Sequence, residues 1–386
     1  MSPFPTRAIF VQSPGAEPKL IDVGFKRDTL QPTEVIIENS ASGLCHSDLI
    51  LMDGHLPQFT FPVIPGHEGA GVVMEIGKEV VGLAVGDQVL TSWSYCGKCR
   101  MCERGRPSVC EEWQSRNLSG SRADGSAAFE TLNDPPPDEK IGSQLIGQAA
   151  LAKHMIVEQS SCVKLPAPVS KSDLDWLAPL GCGFITGAGT IFNCIPKPIK
   201  SGSTIAVFGV GAVGCAALMA AKSVDIFEEI VAIDIHPRRL ELAKSLGATS
   251  VVLSDGTNDV SPQVKAKTEK LVGVDYAIEC TGLSSCMKEA YGSLANGGML
   301  CLVGIARPGT KMDFDPLAHV NDMKTVQGCL EGDCVPSDLI PRLIQLNKEG
   351  QFPFYQLCKK YPIDKFGEAM NDMKTGKVIK PILVWD

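Results

Sequence analysis

The feature that most restricts how this chain can fold is the run Thr204-Ile-Ala-Val-Phe208, followed by Gly209-Val-Gly-Ala-Val-Gly214 and an alanine-rich stretch through Lys222. An unbroken apolar pentapeptide before a glycine cluster predicts a buried parallel strand turning tightly into a helix. The first two glycines permit that turn and a close approach of pyrophosphate to the helix N-terminus, and the third lets helix and strand pack. A second apolar stretch at 230–233 ends at Asp234, about twenty residues beyond Gly214, where an acid accepts hydrogen bonds from adenosine ribose hydroxyls. The same carboxylate repels a 2′-phosphate, so the motif reads as a site for NAD rather than NADP. Arg238 and Arg239 pull the other way, since a nearby arginine suits that phosphate; a solvated first helical turn is their alternative. Further strand-like runs at Ser250–Leu253, Val274–Glu279 and 299–303 are separated by helix-like stretches at 238–246 and 284–294. That alternation predicts a doubly wound parallel sheet.

Upstream lies a second chemistry. Cys45 in Gly43-Leu-Cys-His-Ser-Asp48, His67 in Gly66-His-Glu-Gly-Ala-Gly71 and Cys182 in Gly181-Cys-Gly183 offer two thiolates and one imidazole. Zinc held by such a triad keeps a fourth position for water or substrate, whereas structural sites are closed by four protein ligands. An alcohol in the open position becomes easier to deprotonate, and run backwards the ion polarises an aldehyde carbonyl. Asp48 is placed to orient the imidazole. Any one of these cysteines or the histidine alone is more often core filler than ligand; their glycine-rich contexts are what single them out.

Cys96, Cys99, Cys102 and Cys110 follow the pattern Cys-x2-Cys-x2-Cys-x7-Cys, which lets a short loop wrap four sulfurs around one zinc in a closed, structural site. Disulfides and an iron–sulfur cluster are the alternatives. The opening Met-Ser-Pro-Phe-Pro-Thr-Arg lacks the features of a secretory signal, which speaks for reduced thiols and a cytoplasmic setting. The nine remaining cysteines, Cys215, Cys280 and Cys301 among them, read as small buried hydrophobes.

The 386 residues suit two domains, the net charge of −8 argues against nucleic acid, and no apolar stretch reaches membrane-spanning length. Pro135-Pro-Pro137 reads as a surface turn.

Taken together, these segments resemble the zinc-dependent medium-chain alcohol dehydrogenases over essentially the whole chain. The stretches 234–243, Glu331-Gly-Asp333 and 340–344 most resemble the aryl-alcohol (benzyl-alcohol) dehydrogenase branch. The resemblance implies a GroES-like barrel catalytic domain over 1–183 and 325–386 holding both zinc ions, and an inserted Rossmann NAD-binding domain at 184–324, with the active site in the cleft between them. It implies NAD-linked hydride transfer with a primary alcohol or aldehyde, aromatic or allylic by the branch likeness, in a homodimer or homotetramer. It also assigns roles. Ser47 matches the hydroxyl that takes the alcohol proton, and Glu68 the acid beside the catalytic zinc. His46 and Lys380 match basic contacts to the cofactor pyrophosphate. Many family members continue the proton relay with a histidine three residues after the hydroxyl; here that position is Ile50, which carries no proton. Trp93 is a candidate for the substrate pocket, with a place in the core as its alternative. A member recruited to double-bond reduction or to a non-redox Lewis-acid reaction is the competing function.

Overall fold

The computed structural model describes residues 4–132, 140–256, 259–269 and 272–386, so the expected turn at 135–137 lies outside the described residues. Two compact units are present: one comprises 1–182, 335–341 and 355–386, the other 183–334 and 342–354.

In the second unit the glycine-punctuated strand Thr204–Phe208 is the centre of a six-stranded sheet. Its neighbours on one side are Glu229–Asp234 and then Ser250–Leu253; on the other they are Val274–Glu279, Leu294–Leu302 and Thr325–Gly328. Every pairing is parallel. This is the 3-2-1-4-5-6 order in which the strand direction of travel reverses beside the first strand, the place where open parallel sheets bind ligands. Ile205, Ala206 and Val207 are wholly buried because helices cover both faces. The helix Ala212–Val224 buries every residue from 214 to 221. Its approach to the strand needs Gly214, where a Cβ would stand 1.9 Å from the Gly209 carbonyl oxygen.

The sheet extends further than its sequence pattern announced. The fifth strand begins at Leu294 rather than 299, with Gly297 in a left-handed conformation inside it. The sixth, Thr325-Val-Gln-Gly328, carries one strongly apolar residue and no alternation, yet pairs in register with 299–302. The second unit therefore runs past the expected boundary at 324.

In the first unit a mixed sheet runs in the order Cys358–Pro362, Lys380–Val384, Glu34–Gly43, Gly69–Ile76, Gln88–Thr91, Cys162–Lys164, with His154–Glu158 also paired to Glu34–Gly43. A smaller sheet of Phe4–Phe10, Lys19–Phe25 and Phe129–Glu130 closes the other side of a core built on Val35, Ile37, Val73, Val89 and Phe129. The late strand Lys380–Val384 returns to pair antiparallel with Ala41–Gly43. Among the described residues no single helix is long and apolar enough to cross a membrane.

One interior ion pair has no local sequence signature. The Arg122 guanidinium donates to Glu34 (Nε to Oε1, 2.9 Å) and to Thr29 (Nη1 to Oγ1, 2.8 Å; Nη2 to the carbonyl, 2.7 Å). Their side chains are 1% and 4% exposed. Removing one partner strands a buried charge, so Arg122→Met is expected to lower unfolding free energy by about 3–5 kcal/mol. Arg122→Met combined with Glu34→Leu should recover much of that loss, as read by urea denaturation of the full chain.

Candidate metal and nucleotide sites

Cys45 caps the helix His46–Met52, and the acid at the third helical position organises what surrounds it. The Asp48 carboxylate accepts the Cys45 backbone N–H (2.9 Å), the Gly66 backbone N–H (3.0 Å) and His67 Nδ1–H (3.0 Å). With Nδ1 donating, His67 presents a lone pair on Nε2, and that buried atom has no hydrogen-bond partner. Gly66 makes the approach possible: its φ is +105°, and a Cβ there would stand 2.1 Å from Leu151 N.

Cys182 arrives from a different stretch, just after a short 3-10 turn. Ser92 Oγ donates to the Gly181 carbonyl (2.6 Å), and Gly181 lies so close to the strand at 88–91 that a Cβ would stand 1.9 Å from the Thr91 carbonyl oxygen. Glu68 completes the group. Its Oε1 accepts from Lys380 Nζ at 2.7 Å, with both side chains almost wholly buried, while Oε2 is buried without a partner. Gly43 makes room for it, since a Cβ there would stand 2.0 Å from Glu68 Oε2.

One ligand atom from each of Cys45, His67, Glu68 and Cys182 lies within 4.8 Å of the others. Two sulfurs, an imidazole nitrogen and a carboxylate oxygen brought together, with His67 Nε2 and Glu68 Oε2 buried and unpartnered, fit zinc. The thiol electrostatics agree. The Cys182 hydrogen bond, aided by Lys380 and His67, holds the Cys45 thiol well below its usual value despite burial. Burial alone would depress His67, but the Asp48 and Cys45 charges outweigh it and hold the imidazole high. Burial pushes Glu68 up to about 7 against the pull of Lys380.

Cys96, Cys99, Cys102 and Cys110 form a second group within the same 4.8 Å limit. The Cys96–Cys102 sulfurs are 3.9 Å apart and the Cys99–Cys110 sulfurs 4.0 Å, close to the about 3.8 Å edge of a tetrahedron with zinc–sulfur bonds of about 2.3 Å. None of the fifteen cysteines is in a disulfide, and this spacing suits one ion better than a cluster of several irons. Backbone N–H groups point into the sulfurs: Cys99 to Cys96 (3.3 Å), Cys96 to Cys110 (3.4 Å) and Glu111 to Cys99 (3.5 Å). The Glu111 N–H is the main reason Cys99 is held down to about 6, while burial pushes Cys102 up to about 12.

In the second unit Gly209 has a φ of +90°, and nothing lies within 4 Å of a Cβ built on Gly211, so that glycine faces open space rather than protein. Asp234 braces this loop, accepting the Val210 N–H (2.8 Å) and the His236 N–H (2.9 Å). Arg239 Nη1 lies 3.8 Å from Asp234 Oδ2, so its charge is turned toward the acid.

Other expected residues fall in varied places. His46 is exposed and Ser47 half-buried on the helix that follows Cys45. Trp93 is wholly buried, with Nε1 lacking a partner. Lys380 belongs to the metal-ligand cluster through Glu68. Sequence reasoning missed that pairing and the steric roles of Gly43 and Gly181, because the partners meet across up to 312 positions of chain.

Comparison with known proteins follows the same division. The alcohol dehydrogenase GroES-like domain family matches residues 31–167, and the zinc-binding dehydrogenase family matches 212–349. A geraniol dehydrogenase of Castellaniella defragrans is 32% identical over 91% of both chains. A probable alcohol dehydrogenase of a Pseudomonas species is 37% identical over 76% of this chain and 89% of its own. The crystal structure of benzyl alcohol dehydrogenase from Acinetobacter calcoaceticus superimposes with a TM-score of 0.90 at 35% identity, covering 99% of this chain and 100% of that one.

Because Asp48 fixes both the orientation of His67 and the backbone on either side of it, Asp48→Asn is expected to weaken metal binding at this group by about 10–100-fold. Competition with a chromophoric chelator measures it; the four-cysteine group should keep its ion.

Proposed function

This chain belongs to the zinc-binding alcohol dehydrogenase family, and from that premise we propose that it moves hydride between NAD and a primary alcohol or its aldehyde, with an aromatic or allylic group on the substrate. The observation that carries this reading is the inward-facing donor set of Cys45, His67 and Cys182, with His67 Nε2 aimed by Asp48 and left without a protein partner. Zinc bound by these residues supplies a Lewis acid that eases loss of the hydroxyl proton from an alcohol. The Gly209–Gly214 loop supports dinucleotide binding through its open approach at Gly211.

The residues divide the remaining work. Ser47, on the helix that Cys45 caps, takes the alcohol proton, since its hydroxyl both accepts and donates. Ile50 offers no group to carry that proton onward; a dinucleotide held at the Gly209–Gly214 loop would supply ribose hydroxyls able to do so. Asp234 selects NAD: braced by two backbone N–H groups and paired with Arg239, it presents an acid, not a free arginine, to the 2′ position. The preference for an aromatic or allylic substrate takes its support from the relatives named for geraniol and benzyl alcohol. The four-cysteine group holds the second, structural zinc. The placing of six cysteines in two metal-ligand groups supports a reducing, cytoplasmic setting, where thiols stay available to metal.

The enzyme works as a homo-oligomer. The strand Thr325–Gly328 is the edge of its sheet, and close by in sequence Leu317 (69%), Val320 (69%) and Met323 (79%) stand exposed. An unpaired edge flanked by apolar side chains suits a twofold contact with a second copy. Light scattering on a sizing column should give a dimer or tetramer, and Leu317→Asp with Val320→Asp should shift it toward monomer.

NADH absorbance with zinc-loaded protein and a panel of benzylic, allylic and aliphatic alcohols tests the reaction. Formation of NADH on the conjugated alcohols, its loss in Cys45→Ala, and a fall of about 10²-fold in rate for Ser47→Ala are expected. Reduction of a carbon–carbon double bond, or turnover without change in NADH, would replace this reading with a diverted family chemistry.

A further inference from the structure

The Lys380 ammonium is an unusual neighbour for a cation site. It lies in the first unit on the late strand that pairs with Ala41–Gly43, 2% exposed, and bonds Glu68 Oε1 at 2.7 Å. Glu68 is 0% exposed, and its other oxygen has no partner. A carboxylate oxygen of Glu68 stands in the same group of ligand atoms as Cys45, His67 and Cys182, all within 4.8 Å. Gly43 gives the carboxylate its room, since a Cβ there would stand 2.0 Å from Glu68 Oε2.

Counting charge sharpens the point. Two thiolates and a carboxylate around a divalent ion leave one negative charge in a buried place, and Lys380 cancels it. A buried carboxylate must find a cation or a strong donor. Here it has two choices: the ammonium or the metal. If it took the metal, four protein ligands would close the site, which is the structural and not the catalytic arrangement.

We propose that Lys380 is a positioning residue whose ammonium restrains Glu68 and so keeps the Cys45–His67–Cys182 donor set open at one position. The inference rests on the zinc reading above and deepens it. It gives Lys380 a task at the metal rather than at the cofactor pyrophosphate. An arginine or lysine at this place retains the restraint; a neutral side chain releases Glu68 to become the fourth ligand. The result is a site that holds metal firmly and binds exchangeable ligands poorly.

Cobalt-substituted full-length protein titrated with imidazole, followed by the visible spectrum, tests this without turnover. In the wild type imidazole enters the open position. In Lys380→Met its affinity should fall by about 10-fold or more, the scale on which groups supporting a metal ligand act. Adding Glu68→Gln to that variant should restore affinity to within about 3-fold, and Lys380→Arg alone should stay near wild type. Unchanged imidazole binding in Lys380→Met, or a loss that Glu68→Gln does not repair, would overturn the proposal. So would weaker NADH binding, by fluorescence, with imidazole binding intact, since that is the signature of a pyrophosphate contact. Should Lys380→Met fail to fold, Lys380→Leu carries the same test. A wild type whose cobalt spectrum ignores imidazole would instead sink the open-site reading itself.

Discussion

Three hydrogen bonds converge on the Asp48 carboxylate, and the first unit's chemistry depends on them. One fixes the backbone at Cys45, one the backbone at Gly66, and one the ring of His67. A wholly buried carboxylate accepting three donors is rigid, because losing any one would leave its charge short of solvation. It therefore ties a helix start to a separate loop and sets, in one stroke, both the separation of two ligands and the tautomer of one. Glycines complete the arrangement by subtraction: Gly66, Gly43 and Gly181 each sit where a Cβ would collide with backbone or with Glu68.

The second unit uses the same economy for a different ligand. Its loop is braced from below by Asp234, which accepts two backbone N–H groups, while its outer glycine faces open space. An acid so held is a structural brace, and as proposed above it would also read the ribose. Its pairing with Arg239 shows why a basic residue nearby does not by itself argue for a phosphorylated ribose.

Much of this was legible in the sequence, and the reason is locality. The Cys45–Asp48 and His67–Glu68 segments, the four-cysteine loop and the Gly209–Gly214 turn each place their chemistry within a few residues, where spacing translates directly into geometry. Features made by distant chain were not legible. The Glu68–Lys380 pair and the Arg122–Glu34 pair join residues 312 and 88 positions apart, and nothing in either partner's neighbourhood announces the other. The strand at 325–328 escaped for another reason: with a polar, glycine-ended sequence, it is a strand only because the adjacent strand offers a free edge. The family resemblance named Lys380 as a functional residue, and only the folded chain puts its ammonium on Glu68.

The return of Lys380–Val384 to pair with Ala41–Gly43 also bears on the order in which the molecule is made. A ribosome releases Cys45, His67 and Cys182, then residues 183–334 and 342–354 of the second unit, before the strand that carries Lys380 exists. The inserted unit has all its own strands by then and can fold during synthesis. The first unit cannot. Until residue 380 emerges, Glu68 has no ammonium to hold it, and a nascent chain meeting zinc early would engage the carboxylate as well. If Lys380 restrains Glu68 as proposed, arrival of the late strand would be the event that opens a metal centre formed earlier, which would make maturation of the site a matter of timing as much as of affinity.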